Sequence, residues 1–548
     1  MKSLPNQPDI DQLKRQAKEL LAALRQGAPE AITRFQTSLP AAAGQNTEWL
    51  AQLRLNDAQS CLAREYGFAS WAALSDFVDM ARARRADPAE LTADFARFAY
   101  AGDLAGDMNR SRPERAARYL SLLAEHGPLD PWIGCASGDV SIVRQQLELD
   151  PGWAEKKGGP LRMPPLVAAT HSGLIRLPEY RDAIHEVVSL LLQAGADPNQ
   201  SVGSRWPPAS LEQPSQEHLV SALYGAAGVN HDTRLTRLLL DAGADPNDGE
   251  ALYHALEHDD PDLVDLLLQA GATISGTNAL YRALDYDHLK IFELLLSRTE
   301  SIDEPDMGPL LIWAIRRRRS LAHIEAILKA GGDPRAKSKD GVDAFTLALR
   351  YGLPDVARLL QQASAAGKPR DPELFLAACA RGDSDEARRL KSLHPDLPAA
   401  LDEAQLRMFP ELAAAGCTEA VRLMAELGWP LDIRGGDWHA TVLNHAVFRG
   451  DAALVETLLT CGAEWTEEHG FGDNACGTLS WASLNQPVPD GDWAGCAKAL
   501  LRHGMPSAQR DPAHTDTVLV AGVRRRFAED VTEILLSGPA AAEVDHAL

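Results

Sequence analysis

The side chains best suited to chemistry are concentrated near the carboxyl end of the sequence. Imidazole, thiol and carboxylate groups can bind metals or act as acids, bases and nucleophiles. They occur there at His439, His445, His469, Asp473, Cys476, Asp490, Asp492 and His503. No pair among them has the spacing typical of metal ligands. We therefore expect no bound metal and no cofactor.

These residues also have ordinary structural interpretations. Cys476 and Cys496 suit small core positions, and residues 490–492, Asp-Gly-Asp, suit a turn. His445 would occupy a variable, half-exposed position in a helix. The sequence also lacks the glycine-rich nucleotide-binding motifs, the His-Glu-x-x-His metalloprotease motif and the Gly-x-Ser-x-Gly nucleophile motif. Catalysis is therefore the less favoured prediction.

Aromatic residues in the same region suggest binding instead. Four of the 11 tryptophans lie between residues 438 and 493, and large aromatic side chains on loops commonly anchor protein interfaces. We expect Trp206 and Trp465 to point outward, whereas Trp481 suits either a core or a surface position. The candidate partner-binding residues are Trp206, Trp438, His439, Trp465, His469, Phe471, Asp473, Trp481, Asp490, Asp492 and Trp493.

A recurring phrase identifies the elements that must position these residues. Residues 190–199 and 238–247 both read Leu-Leu-Leu, two further residues, then Gly-Ala-Asp-Pro-Asn, and weaker copies occur at 266–272, 330–334 and 458–464. The leucines would end a buried helix, and the glycine would take the left-handed position after it. Aspartate and proline would begin the turn that follows.

A second phrase precedes the first. It contains Ala-Leu-Tyr at residues 222–224, 251–253 and 279–281, with related segments at 441–447 and 477–483. It resembles the Thr-Pro-Leu-His-x-Ala opening of an ankyrin repeat. The tyrosines hold the slot of the histidine, so we expect Tyr224, Tyr253 and Tyr281 to stack in a ladder, or alternatively to line a recognition groove. The three Ala-Leu-Tyr openings lie closer together than the ~33 residues of a standard unit, which predicts shortened hairpin loops in the central units.

The sequence therefore resembles a bacterial ankyrin-repeat protein with a small helical N-terminal module. The module is indicated by the phrases at residues 13–21 and 62–71, with one helix ending at Gly27 and others starting at Pro29, near Leu53 and at Ser70. The resemblance implies an all-α ankyrin-repeat solenoid of stacked helix-turn-helix units. The predicted segments are an N-terminal module (1–82), a linker (83–90), divergent repeats (91–220) with an insertion near 201–216, ankyrin repeats (221–365), divergent repeats (366–440) and C-terminal repeats with a cap (441–548).

The overall charge is acidic, with 77 acidic against 54 basic residues and a net charge of -23. Such a field disfavours nucleic acid and favours a partner with a basic surface. Two arginine runs, 316–319 and 524–526, are expected on solvated helix faces.

The sequence has seven cysteines without a CxxC pair, no apolar opening segment and no run of ~18 apolar residues. These features predict a cytoplasmic protein that neither carries a signal peptide nor spans a membrane. We expect a non-catalytic scaffold that binds another protein through its concave face and hairpin loops. The alternative is an enzyme, or a small-molecule or metal-binding protein, whose site within residues 438–503 is a pocket lined by His439, His469 and Trp493. The oligomeric state is left open.

Overall fold

The computed structural model describes residues 2–100, 102–106, 111–299, 307–512 and 517–538. The chain divides into two compact units, Met1–Arg298 and Thr299–Leu548. Helices dominate both units, which confirms the predicted all-α fold. None of the described helices is both long enough and apolar enough to cross a lipid bilayer.

The first unit begins with five helices around their own hydrophobic core. They are α1 (Ile10–Arg25), α2 (Pro29–Ser38), α3 (Thr47–Ala51), α4 (Leu55–Glu65) and α5 (Trp71–Ala83). Two predicted boundaries are confirmed: Gly27 has φ +70° beyond the end of α1, and Ser70 caps α5 by accepting a hydrogen bond from the Ala73 amide. The helix α3 was not predicted, and α4 begins at Leu55 rather than near Leu53. The buried residues of α1 are Leu13, Ala17, Leu20, Leu21 and Leu24, so the helical period of this segment corresponds to one packed face.

Short helices follow in the first unit, and many of them pack against the next helix in the chain. They are α6 (Pro88–Ala99), α7 (Gly102–Ala105), α8 (Pro113–Glu125), α9 (Pro131–Ser137), α10 (Val140–Leu149), α11 (Pro165–Thr170), α12 (Pro178–Gln193), α13 (Ala222–Tyr224), α14 (Thr233–Asp241), α15 (Ala251–Ala255), α16 (Pro261–Gln269), α17 (Ala279–Tyr286) and α18 (Leu289–Arg298). A π-helical turn, Gly225–Val229, extends α13, and 3-10 turns occur at Pro40–Ala42, Trp153–Glu155 and Gly173–Arg176.

The Gly-Ala-Asp-Pro-Asn phrase performs two structural tasks. Its glycine follows the helix in the left-handed region, with φ +90° at Gly195 and +96° at Gly243. Its asparagine joins successive repeats: Asn199 Oδ1 accepts from the Asp245 amide at 2.8 Å. In the same way, Asn247 Oδ1 accepts from the Thr273 amide at 2.9 Å, and its Nδ2 donates to the Gly271 carbonyl. The phrase therefore ends one repeat and fixes the next beside it.

The insertion predicted near 201–216 forms a two-stranded antiparallel hairpin with a long loop. Its strands are β1 (Ser201–Gly203) and β2 (Leu219–Ser221). The buried Arg205 donates from Nη1 to the Leu104 carbonyl at 2.9 Å, and Ser204 donates to Asp103 at the same distance. These contacts hold the insertion against an earlier part of the same unit.

The predicted ladder of stacked tyrosines is wrong, because the rings of Tyr224 and Tyr253 contact histidine rings. Tyr224 is buried, donates its hydroxyl to Asp103 Oδ2 at 2.9 Å, and places its ring beside His171 and His254. The ring of Tyr253 also contacts His254, with 5.1 Å between centroids. His254 therefore lies between Tyr224 and Tyr253, and it is the residue next in sequence to Tyr253.

His254 is held by two carboxylates on its own helical segment. Its Nδ1 lies 2.8 Å from Glu257 Oε1, and its Nε2 lies 3.2 Å from Glu250 Oε2. Burial by itself would lower the pKa of His254, but the hydrogen bonds to Glu250 and Glu257 raise it to about 9. The imidazole is therefore charged at neutral pH and stabilises this part of the first unit.

The second unit contains the same kind of helix pairs. Its helices are α19 (Met307–Arg316), α20 (Leu321–Lys329), α21 (Ala344–Arg350), α22 (Pro354–Ser364), α23 (Asp371–Ala380), α24 (Ser384–Leu393), α25 (Glu403–Leu406), α26 (Met408–Ala414), α27 (Thr418–Glu426), α28 (Val442–Phe448), α29 (Ala452–Thr460), α30 (Ala475–Asn485), α31 (Trp493–Arg502) and α32 (Glu529–Ser537). A hairpin of β3 (Arg434–Gly435) and β4 (Ala440–Thr441) precedes α28, and a three-stranded antiparallel sheet of β5 (Gln509–Arg510), β6 (Val518–Val520) and β7 (Val523–Arg525) precedes α32.

The arginine runs are not simply solvated helix faces. Arg316, at the end of α19, pairs with Glu411, and Arg317 pairs with Asp437 at 2.9 Å. The second run lies partly in strand β7, so its predicted helical placement is wrong. The antiparallel pairing with β6 gives this segment an extended backbone.

Candidate partner-binding surface

Five aromatic side chains in the second unit come from two loops and the two helices that follow them. Trp438 lies in the turn between β3 and β4, and Phe448 is the last residue of α28. His469 and Phe471 lie in the loop before α30, and Trp481 lies within α30. We refer to these five residues as the aromatic strip.

The rings of the aromatic strip form a continuous series of contacts. The Trp438 ring centroid lies 5.0 Å from that of His469 and 5.6 Å from that of Phe448. Phe448 stacks on Trp481 at 5.5 Å with an interplanar angle of 10°, and His469 meets Phe471 at 5.9 Å. These separations are those of favourable aromatic pairs. Trp438 is therefore central, with Phe471 and Trp481 at the two ends.

The two ends of the strip are open to solvent. Phe471 is 81% exposed and Trp481 is 45% exposed, whereas Trp438 and Phe448 are half-buried. Leu484 is exposed one turn beyond Trp481, on the same face of α30. Exposed apolar side chains that adjoin one another in this way are characteristic of interaction surfaces.

Backbone hydrogen bonds hold the most exposed ring in place. The Gly470 amide donates to the Trp438 carbonyl at 3.1 Å, which joins the loop to the β3–β4 turn. Within the loop, the His469 amide donates to the Asp473 carbonyl at 2.8 Å, and the Gly472 amide donates to the His469 carbonyl at 2.8 Å. Phe471 is thus presented by an ordered turn, so little conformational entropy would be lost when it is buried by a partner.

Several carboxylates near the strip already have partners within the chain. Asp473 accepts two hydrogen bonds from Arg525, at 2.6 and 2.7 Å, and Glu467 pairs with Arg434 at 3.2 Å. Burial alone would raise the pKa of Asp473, but the paired guanidinium holds it below its usual value. Asp492 caps α31, where it accepts from the Gly495 amide at 2.7 Å, and Asp490 lies in the predicted turn with φ +61°.

Burial shifts the pKa of several ionisable groups near the strip. Burial lowers the pKa of both His445 and His469, so both imidazoles are neutral at pH 7. Burial also raises the pKa of Cys476 to about 11, which leaves a thiol rather than a nucleophilic thiolate. Within the described part of the chain, no three His, Cys, Asp or Glu side chains are grouped so that they could hold a metal ion.

The structure brings together Trp438, His469, Phe471 and Trp481 among the predicted site residues. His439 adjoins them, since its carbonyl oxygen also accepts from the Gly470 amide, at 3.2 Å. Trp493 is 7% exposed, so it is not a surface contact and does not line an open pocket with His439 and His469. His439 is exposed in the β3–β4 turn, Trp465 is half-buried before the loop, and Trp206 lies in the first unit with 45% exposure.

His445 corrects a second sequence interpretation, since it is only 2% exposed rather than half-exposed. Its Nε2 lies 3.0 Å from the Gly435 carbonyl oxygen, and its ring packs edge-on against Trp438. In the first unit, His171 follows the last residue of α11, and its Nε2 lies 2.8 Å from the carbonyl oxygen of Ser221 in β2. A histidine thus fixes a hairpin to a helix in both units. The predicted core positions of Cys476 and Cys496 are confirmed.

Sequence reasoning missed Phe448 and Leu484 as parts of this surface. Phe448 is the residue directly after the repeat-opening phrase at 441–447. It lies three residues after His445 and so on the same face of α28, and this spacing could have indicated that it belongs to the surface. Leu484 lies three residues after Trp481. Helical spacing would therefore have identified both residues once the bounds of α28 and α30 were known.

Comparison with known proteins identifies the class of repeat. Residues 223–306 match a family model described as ankyrin repeats, three copies. The crystal structure of the human ASB11 ankyrin repeat domain is 17% identical in sequence, and the match covers 100% of that domain and 44% of this chain with a TM-score of 0.32. Together with the helix pairs described above, the repeat match confirms the predicted ankyrin-repeat class of the fold.

Proposed function

We propose that this chain is a non-catalytic scaffold that binds another protein through the aromatic strip. Ankyrin repeats are generally protein-interaction modules, and their hairpins and first helices form an extended binding surface. The strip is built from one hairpin, one inter-repeat loop and the first helices α28 and α30. The observation that carries the proposal is Phe471, an 81% exposed ring on a loop fixed by hydrogen bonds.

The partner would present apolar side chains to the strip and a basic group beside it. Glu464 and Glu468 are exposed on the same loop as Phe471. Because Asp473 and Glu467 are already paired with arginines, the attraction for a basic partner depends on fewer carboxylates than the sequence implied. Electrostatic complementarity of this kind mainly increases the rate of association and the specificity.

We further propose that the five-helix N-terminal module caps the first unit or docks a partner, as expected for the bacterial ankyrin-repeat proteins that the sequence resembles. All seven cysteines are free. This supports action in the cytoplasm, where thiols stay reduced.

Quantitative capture tests the proposal. The full chain, a Phe471→Ala/Trp481→Ala variant and a Leu393→Ala variant would be used as bait in a bacterial lysate, with captured proteins measured by mass spectrometry. Leu393 is the control, since it is an exposed apolar residue of the same unit at the end of α24, outside the aromatic strip. A protein captured by wild type and Leu393→Ala and lost with the double variant supports the proposal after the purified partner shows the same pattern. Equal capture by all three baits contradicts it.

A further inference from the structure

Four segments of the second unit meet at the carboxylate of Glu411, which lies on α26. Its two oxygens lie 3.2 and 3.3 Å from Nη2 of Arg316, the last residue of α19. Oε2 also accepts from the hydroxyl of Tyr351, directly after α21, at 3.0 Å. Oε1 accepts from the amide of Gly436, in the turn between β3 and β4, at 3.2 Å. Glu411 thus connects α19 and α21 to that turn.

A second ion pair joins the region of α19 directly to the same turn. Nη1 of Arg317, which follows α19, lies 2.9 Å from Oδ2 of Asp437 in the β3–β4 turn. The ring of Trp313 lies beside both arginines, with its centroid 4.3 Å from the guanidinium carbon of Arg317 and 5.8 Å from that of Arg316. We refer to Arg316, Arg317, Glu411 and Asp437 as the ionic strap.

The turn that the ionic strap contacts carries part of the aromatic strip. Asp437 directly precedes Trp438, and the Trp438 carbonyl accepts from the Gly470 amide in the loop that carries Phe471. A displacement of the turn would therefore move both Trp438 and the acceptor that holds the loop. The strap is linked in this way to the most exposed ring of the strip.

The β3–β4 hairpin needs such contacts because its own strand pairing is short. Each strand has two residues, with Arg434 opposite Thr441 and Gly435 opposite Ala440. Isolated two-stranded hairpins are at best marginally stable in water. His445 holds one position of the hairpin, since its Nε2 lies 3.0 Å from the Gly435 carbonyl oxygen. The ionic strap holds the next two residues of the turn.

The exposure of the ionic strap indicates a local role rather than a contribution to overall stability. The side chains of Arg316 and Glu411 are 35% and 19% exposed, and those of Arg317 and Asp437 are 32% and 53% exposed. Partly exposed ion pairs contribute little to global stability and are screened by salt. Such pairs cannot replace the apolar core of the unit, but they are sufficient to favour one position of a short hairpin.

We propose that the ionic strap positions the aromatic strip for its partner, with Glu411 and Asp437 as the positioning residues. The strap fixes the turn, the turn fixes Trp438, and the Trp438 carbonyl fixes the Phe471 loop. A surface held in this way loses less conformational entropy when a partner binds. Because salt screens the strap, the order of the loop decreases as the ionic strength rises. The inference rests on the proposed function of the strip, but the effect of the strap on the loop can be measured without a partner.

Hydrogen–deuterium exchange of the full chain, followed by mass spectrometry, tests the effect of the strap on the loop. The exchange rate of the amides in residues 469–472 reports local opening of the loop. In Asp437→Asn this rate should rise by up to about fivefold, because an exposed ion pair contributes at most about 1 kcal/mol and about 1.4 kcal/mol corresponds to tenfold. Glu411→Gln should raise the rate as well, whereas Asp437→Glu, which keeps the charge, should exchange as wild type does.

The matched control is Glu426→Gln. It removes an exposed ion pair with Arg388 that has the same length of 2.9 Å as the pair between Arg317 and Asp437, but it lies on α27, away from the turn. This variant should leave exchange in the loop unchanged. Loop exchange that is unchanged in Asp437→Asn and Glu411→Gln, or that rises equally in Glu426→Gln, would overturn the proposal. So would an equal rise throughout the second unit, because the strap would then have only a general structural role.

Salt provides a readout that a general structural role would not change. Between about 0.05 M and about 0.5 M sodium chloride, loop exchange should rise in wild type and much less in an Asp437→Asn/Glu411→Gln double variant. With the purified partner, the double variant should bind more weakly than wild type at low salt, and this difference should shrink at high salt. Equal affinities at low salt would overturn the proposal. The proposed function fails separately, if Phe471→Ala/Trp481→Ala retains the partner.

Discussion

Replacing Trp493 with alanine should destabilise the second unit far more than the same change at Trp481. Trp493 begins α31 and is 7% exposed, and its ring packs against Gly491. A buried tryptophan removes roughly 200 Å² from water, which corresponds to about 5 kcal/mol at ~25 cal/mol per Å². Measured losses for tryptophan-to-alanine changes in cores are about 3–5 kcal/mol. Trp481 is 45% exposed, so its replacement should cost roughly half as much or less.

Urea denaturation followed by circular dichroism measures the difference between the two variants. The unfolding midpoint of Trp493→Ala should fall clearly below that of Trp481→Ala, with similar slopes. Partner capture gives the complementary result, because Trp481→Ala should weaken binding while the protein remains folded. If Trp493→Ala were as stable as wild type and lost the partner, Trp493 would be a surface anchor and our assignment of the strip would be wrong.

Three further predictions concern contacts away from the strip. Asn247→Ala should lower the unfolding free energy of the first unit by about 1–2 kcal/mol in urea titrations, because it removes the hydrogen bonds between successive repeats; an unchanged midpoint would show that the bridge is dispensable. Arg350→Met should lower the free energy of unfolding by about 3–5 kcal/mol, because Glu373 stays buried without the guanidinium that donates to it at 2.6 and 2.9 Å. Adding Glu373→Leu should recover much of this loss, and a double variant no more stable than the single one would contradict the prediction. Because the pKa of His254 is raised to about 9, the charged imidazole contributes its full stabilisation below pH 6.5, and this contribution is lost as the pH rises through about 9. The thermal unfolding temperature of wild type should therefore fall over this pH range by more than that of His254→Gln.

The repeat architecture was largely predictable because it depends on local rules. The glycine at the end of each leucine-rich helix needs a left-handed backbone, and Gly195 and Gly243 have it. Serine and proline at helix starts likewise gave the boundaries of α2 and α5. Each of these signals acts within a few residues, so a single sequence is enough to read it.

The candidate site was predictable only in part because it depends on contacts between distant segments. Trp438 and His469 could be chosen as aromatic loop residues, but their contact results from the bond between Gly470 and the Trp438 carbonyl. The sequence left Trp481 as either core or surface and placed Trp493 at a candidate site, although Trp493 is the buried one of the two. The pairing of Asp473 with Arg525 joins residues from two different elements, so the neutralised charge could not be foreseen.

Site-specific photo-crosslinking most directly tests whether the aromatic strip binds the partner. A photoreactive phenylalanine analogue would replace Phe471 in one preparation and Leu393 in another, since Leu393 is an exposed apolar residue of the same unit outside the strip. With the captured partner, we predict a cross-linked adduct from position 471 and none from position 393. An adduct from position 393 alone, or equal adducts from both positions, would contradict the assignment of partner binding to the strip.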